Sequence, residues 1–122
     1  MRRILLDEGV PIGVRSLIIG FSVEAVHEIG WSGLTNGVLI AAAEEAGFEV
    51  MITADQNIRY QQNLTGRKLA LVVLTTNHWD TIRANGQDIL PAVEAAKAGS
   101  FTTIQLPQPP KGRRKQQTTL DR

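Results

Sequence analysis

Two aspartates stand where apolar runs stop. In Ile4-Leu5-Leu6-Asp7-Glu8-Gly9-Val10-Pro11 three apolar residues lead into two carboxylates, and Gly9 and Pro11 end the run. Glu49-Val50-Met51-Ile52-Thr53-Ala54-Asp55-Gln56-Asn57 has the same form around Asp55. Carboxylates gathered at one edge repel one another, so shared protons or a bound cation must offset the charge. Oxygen donors of Asp, Glu and Asn suit Mg2+ or Mn2+, which take octahedral oxygen ligands and keep several waters. Such an ion activates water and steadies charge building on a phosphodiester. On this chemistry Asp7 and Asp55 are the metal-binding and catalytic candidates, with Glu8, Asn36, Asn57 and Asn77 acting behind them or through water. Arg59, Arg67 and Lys68 are read as sharing the rim of Asp55, placed to hold phosphates. The plain alternative is that each Asp only caps a turn, a common fate of Asp after a strand. Two such residues on adjacent strands argue for more.

The elements that would position them follow from patterning. Residues 3–7 read as a buried strand of a parallel sheet, and Pro11 suits the first turn of a helix over about 11–19 that buries Val14, Leu17 and Ile18. Ser22 to Val26 alternates, as a strand near a sheet edge does. His27 to Thr35 reads as a loop; Asn36 is a fitting N-cap for a helix over about 37–46, and Gly47 its stop. Strand three covers about 49–53, and Gln56 to Asn63 suits a short helix turning Arg59 and Tyr60 outward. Leu69 to Leu74 is the most apolar run and reads as a fully buried strand. Helical material over 79–97 breaks near Asn85-Gly86, and Phe101 to Leu106 alternates as a last edge strand. This alternation predicts a three-layer α/β fold with a mostly parallel five-stranded sheet in the order 2-1-3-4-5. Asp7 and Asp55 then flank the point where strand order reverses, the usual ligand position of open α/β sheets.

Composition narrows the setting. The 122 residues suit one domain over 1–106 followed by a basic, Pro-rich tail over 107–122 that reads as solvated and without regular structure. Of thirteen Lys and Arg, five lie in that tail, which holds one of the twelve Asp and Glu, so the body is mildly acidic. The tail offers salt-sensitive contact with nucleic acid, or solubility alone. The absence of Cys excludes disulfides, thiolate metal sites and a cysteine nucleophile. No apolar run approaches the ~20 residues of a membrane helix, and Ile4 to Leu6 is too short for a signal peptide, so a cytoplasmic protein is expected. Glu44 and Glu45 read as a solvated helix face, His27 and His78 as surface residues, and Trp31 and Trp79 as packing residues. No glycine-rich phosphate loop, zincin helix or nucleophile elbow is present.

The chain also resembles a known family. Leu5-Leu6-Asp7-Glu8-Gly9-Val10-Pro11 is similar to the opening "LLDENLP" of a short bacterial PIN-like family. The likeness continues through Glu28-Ile29-Gly30-Trp31-Ser32-Gly33 and the Leu39 to Gly47 helix to Ile52-Thr53-Ala54-Asp55-Gln56-Asn57, which resembles the PIN "TxDxxF" element. It spans about residues 3–80. PIN domains are Mg2+- or Mn2+-dependent ribonucleases, many of them toxins of toxin–antitoxin pairs. The resemblance therefore implies an RNA substrate, Asp7 and Asp55 as metal-binding catalytic acids, a cognate antitoxin and homodimerisation. Asn36 stands where the family has an acid at the helix start, and the Phe after the second Asp is absent. The further helix Glu of full-length PIN domains has no counterpart.

Two other readings stay open. One is a catalytically inactive PIN-like module that binds a partner protein or RNA, which Asn36 favours. The other is a receiver-like phosphoacceptor domain built on Asp7, Glu8, Asp55 and Thr75 or Thr76. Its phosphoryl-pairing Lys would end strand five, where this chain has Leu106-Pro107-Gln108.

Overall fold

The computed structural model describes residues 2–108. Five strands, β1 (Arg3–Leu6), β2 (Ser22–Ala25), β3 (Val50–Thr53), β4 (Ala70–Leu74) and β5 (Phe101–Ile104), form one sheet in the order β2-β1-β3-β4-β5. Every neighbouring pair is parallel. The expected order is the observed one, and the sheet is parallel throughout. The 107–122 tail assigned from composition lies, from residue 109, outside the described residues.

Period-two alternation sends each strand's residues to two separate cores. Ile4 and Leu6, Val50 and Ile52, and Val72 and Leu74 pack on one face, against Val14, Ile18, Ile82, Ile89 and Val93. Leu5, Met51, Leu71 and Val73 pack on the other, against Leu39, Ile40, Ala43 and Ile58. Because both faces are covered, β3 and β4 are apolar at nearly every position and buried at all of them.

Helices α1 (Asn36–Glu45) and α2 (Ile58–Gln61) make one outer layer; α3 (Trp79–Asn85) and α4 (Ile89–Ala95), joined by the short 3-10 turn Gly86–Asp88, belong to the other. The break expected at Asn85-Gly86 falls there. Helix α1 ends in a Schellman motif: Gly47 (φ 91°) lets Phe48 N–H reach Ala43 O and its own N–H reach Glu44 O. Its N-cap is Thr35 rather than Asn36.

The first crossover is a 3-10 helix, Ile12–Leu17, and not the longer helix expected over 11–19. Gly13, a weak helix former, is placed there by packing: a Cβ on it would come within 2.5 Å of the Trp79 ring. This contact joins the segment after β1 to the segment after β4. The region read as a loop from His27 begins with a second 3-10 helix, Val26–Ile29, whose Glu28 side chain accepts from Ala25 N–H. Trp31 packs edge-on against Phe48, with ring centres 6.1 Å apart. No helix among the described residues is long and apolar enough to cross a membrane.

Candidate functional site

Asp7 extends the β1–β3 ladder by one residue, its N–H donating to Ile52 O at 2.9 Å. That bond fixes its backbone at the carboxyl end of the sheet, between the strands where chain order reverses. The residue is only 9% exposed. Oδ2 accepts from the Thr53 hydroxyl at 2.7 Å and Oδ1 from Glu8 N–H at 2.7 Å.

The Thr53 hydroxyl also accepts from Asp55 N–H at 3.1 Å, so one buried oxygen ties both aspartates together. Asp55 Oδ1 accepts from Asn57 N–H at 3.0 Å, a local turn of the kind Asp forms readily. Its Oδ2 accepts from Asn36 Nδ2 at 3.0 Å. Asn36 does not cap α1 because the helix starts one residue earlier, with Leu39 N–H bonded to Thr35 O at 2.8 Å; the Asn36 amide donates to Asp55 instead. Glu8 Oε1 accepts from Gly33 N–H at 3.0 Å, which anchors the loop leading into α1.

Burial pushes the Asp7 carboxyl above its ordinary range, and the charges of Asp55 and Glu8 add to this. The hydrogen bonds from Thr53 and Glu8 N–H oppose it without cancelling it. Among the described residues the ion pairs bring no Lys or Arg to Asp7, Glu8 or Asp55. The edge is therefore acidic among the described residues, with its carboxylates held in place by hydrogen bonds.

The remaining candidates separate clearly. Asn57 serves through its backbone N–H, while Asn77 is exposed beyond β4, one strand further from Asp7. Arg59 turns away from the carboxylates: its guanidinium donates to Thr103 Oγ1 at 3.3 Å and lies 6.0 Å from the Phe101 ring centre. Arg67 and Lys68 are not on the rim of Asp55. They precede β4, whereas Asp55 follows the parallel β3, so the length of a strand, about 13 Å, separates them. Arg67 is moreover paired with Glu44 at 3.1 Å.

Glu44 is the clearest departure from the expected solvated face. Its carboxylate accepts from Arg67 and from the backbone N–H groups of Lys68 and Leu69, holding the entry to β4 against α1. These bonds, led by that from Lys68 N–H, lower its pKa. Thr53, uncharged, is the site residue that charge alone does not mark. Its signal was positional: register places it directly beyond the Leu6–Ile52 pair, opposite Asp7.

No group of three or more His, Cys, Asp or Glu converges among the described residues, so the donors do not form a closed cage. The chemistry they do fit is that of Mg2+, which is commonly held by one or two carboxylates while keeping waters and substrate phosphate. Asp7 and Asp55 supply such a pair. No protein-family model, curated protein or solved structure matches the chain.

Proposed function

We propose that the protein is a divalent-cation-dependent nuclease acting on RNA phosphodiesters, with Asp7 and Asp55 as its metal-binding acids. The observation that carries this reading is the pair of carboxylates joined through Thr53 at the strand-order reversal, with no Lys or Arg ion-paired to them among the described residues. Asp7 and Asp55 would hold Mg2+ or Mn2+, which supplies an activated water and charge stabilisation at the scissile phosphate when bound. Thr53 fixes the orientation of Asp7, and the Asn36 amide does the same for Asp55. Glu8, exposed at the rim and tethered to Gly33, orients water entering the site. The toxin half of a toxin–antitoxin pair, with a cognate antitoxin as partner, is the biological setting that the PIN-like resemblance suggests.

The test is cleavage of labelled single-stranded RNA with Mn2+ or with chelator. Metal-dependent cleavage that Asp7→Asn and Asp55→Asn each abolish supports the reading; cleavage that survives both substitutions overturns it. A second reading, a non-catalytic module that binds a partner, is favoured by one feature. Asp55 Oδ2 already accepts from an Asn amide where an acid would add a third carboxylate. RNA retained without cleavage in the same assay selects it.

A further inference from the structure

The outer edge of β5 is built for pairing. Leu71 N–H donates to Ser100 O and Thr75 N–H to Ile104 O, which fixes the phase of the strand. Even-numbered residues direct their backbone groups to β4, so the N–H and C=O groups of Phe101, Thr103 and Gln105 face away from the sheet. Among the described residues nothing pairs with them.

Natural edges are blunted by charges, by Pro within the strand or by bulges. The strand itself has none of these, and the charge that reaches it is Arg59, bonded to Thr103 Oγ1. No charged residue occurs between Ala98 and Pro110, and the β4–β5 register runs without interruption from Phe101 to Ile104. The other edge differs: β2 carries Glu24 in mid-strand, paired with Arg3. Self-pairing there would bring like charges together, and at β5 the strand itself brings none.

We propose that the β5 edge is the contact surface for a second copy of this chain, the two β5 strands running antiparallel in one continuous ten-stranded sheet. The sequence suits that symmetry. Thr103 falls opposite its own copy and Phe101 opposite Gln105, so all three outward residues become hydrogen-bonded pairs with about six new N–H···O bonds. A Thr–Thr pair is among the favourable cross-strand pairs. Pro107, which has no N–H, ends the ladder just beyond. The exposed Arg59, bonded to Thr103 on the same face, meets its copy across the axis. That repulsion is screened by salt, so the dimer strengthens with ionic strength.

The experiment uses the full chain. Sedimentation equilibrium from about 10 μM to 1 mM, the range of a weak contact, reads the mass; amide exchange by NMR at both ends of that range reads the edge. The proposal predicts a mass rising toward twice the monomer, with exchange at Phe101, Thr103 and Gln105 slowed severalfold at high concentration and that at Thr102 and Ile104 unchanged. Thr103→Pro removes an outward N–H without touching the β4 ladder, and Thr103→Lys adds charge while keeping every N–H. Either restores the monomer. A monomer throughout, or a dimer whose odd-numbered amides exchange freely, overturns the proposal. Protection of those amides that is independent of concentration also overturns it, and assigns the edge to the chain's own C-terminal residues.

Discussion

Asp7→Asn in metal-free buffer is expected to remove a pH-dependent cost from the fold. Asp7 is buried, and burial, with Asp55 and Glu8 adding, raises its carboxyl pKa. A raised pKa on an acid means that the folded state binds the proton more tightly than the unfolded one. The Asp7 contribution is therefore most favourable at and below about pH 4, where the unfolded carboxyl titrates, and worsens as pH rises from there to the folded value. Each unit of elevation costs about 1.4 kcal/mol at neutral pH. Asn keeps an acceptor for Glu8 N–H, but its amide nitrogen replaces the oxygen that accepted from the Thr53 hydroxyl. That buried O–H loses its partner, at a cost of about 1–3 kcal/mol that does not vary with pH. Removing the charge should then make the variant gain on wild type as pH rises from about 4 toward 7, on top of that fixed loss. The assay is chemical denaturation of both proteins with chelator from pH 3.5 to 8. Subtracting the two curves removes the contributions of distant groups such as Glu28 and Glu44. The difference should be flat below about pH 4 and move in favour of Asn toward pH 7. A difference independent of pH, or one that moves against Asn as pH rises, would refute the reasoning.

Thr53→Val keeps the β-branched shape but leaves Asp7 Oδ2 and Asp55 N–H each without a partner. Unmet buried groups cost ~1–3 kcal/mol apiece, so a loss near 3 kcal/mol in denaturant midpoint analysis is expected, with Asp7 titrating higher. Asn36→Asp exchanges a donor to Asp55 for a third carboxylate. Metal-free stability should fall by about 1–2 kcal/mol, and added Mn2+ should restore more than it gives wild type, as thermal shift with and without metal would report. Glu44 has a lowered pKa, so its contribution is present above pH 4.5 and is lost as pH falls through the folded value. Glu44→Gln should lower Tm at pH 7 and flatten the acid limb below pH 4.5.

The sheet was legible because its two faces are both covered. Val50 to Thr53 and Ala70 to Leu74 carry almost no polar residue, and Asp7, Gly9 and Pro11 mark a strand end unambiguously. Strand order followed from right-handed crossovers, and with it the meeting of Asp7 and Asp55. Less was visible where tertiary contacts overrule local chemistry. Asn36 looks like an N-cap, yet the helix starts one residue earlier and its amide meets Asp55, and Glu44 looks solvated until the entry to β4 folds against it. Gly13 reads as a weak helix position, yet its lack of a side chain admits Trp79. The positions of Arg67 and Lys68 follow from topology alone, since residues that precede a parallel strand lie at its amino end.

The most direct measurement is a Mn2+ titration of thermal stability on wild type and on the Asp7→Asn/Asp55→Asn double variant. Ligand linkage gives about 2.7 kcal/mol of stabilisation at a hundredfold excess over Kd, a rise of roughly 10 °C for this length. A shift of that size in wild type, absent from the double variant, is the predicted result. No response of wild type at millimolar metal, or an equal response of both proteins, would contradict the assignment of Asp7 and Asp55 as a metal site.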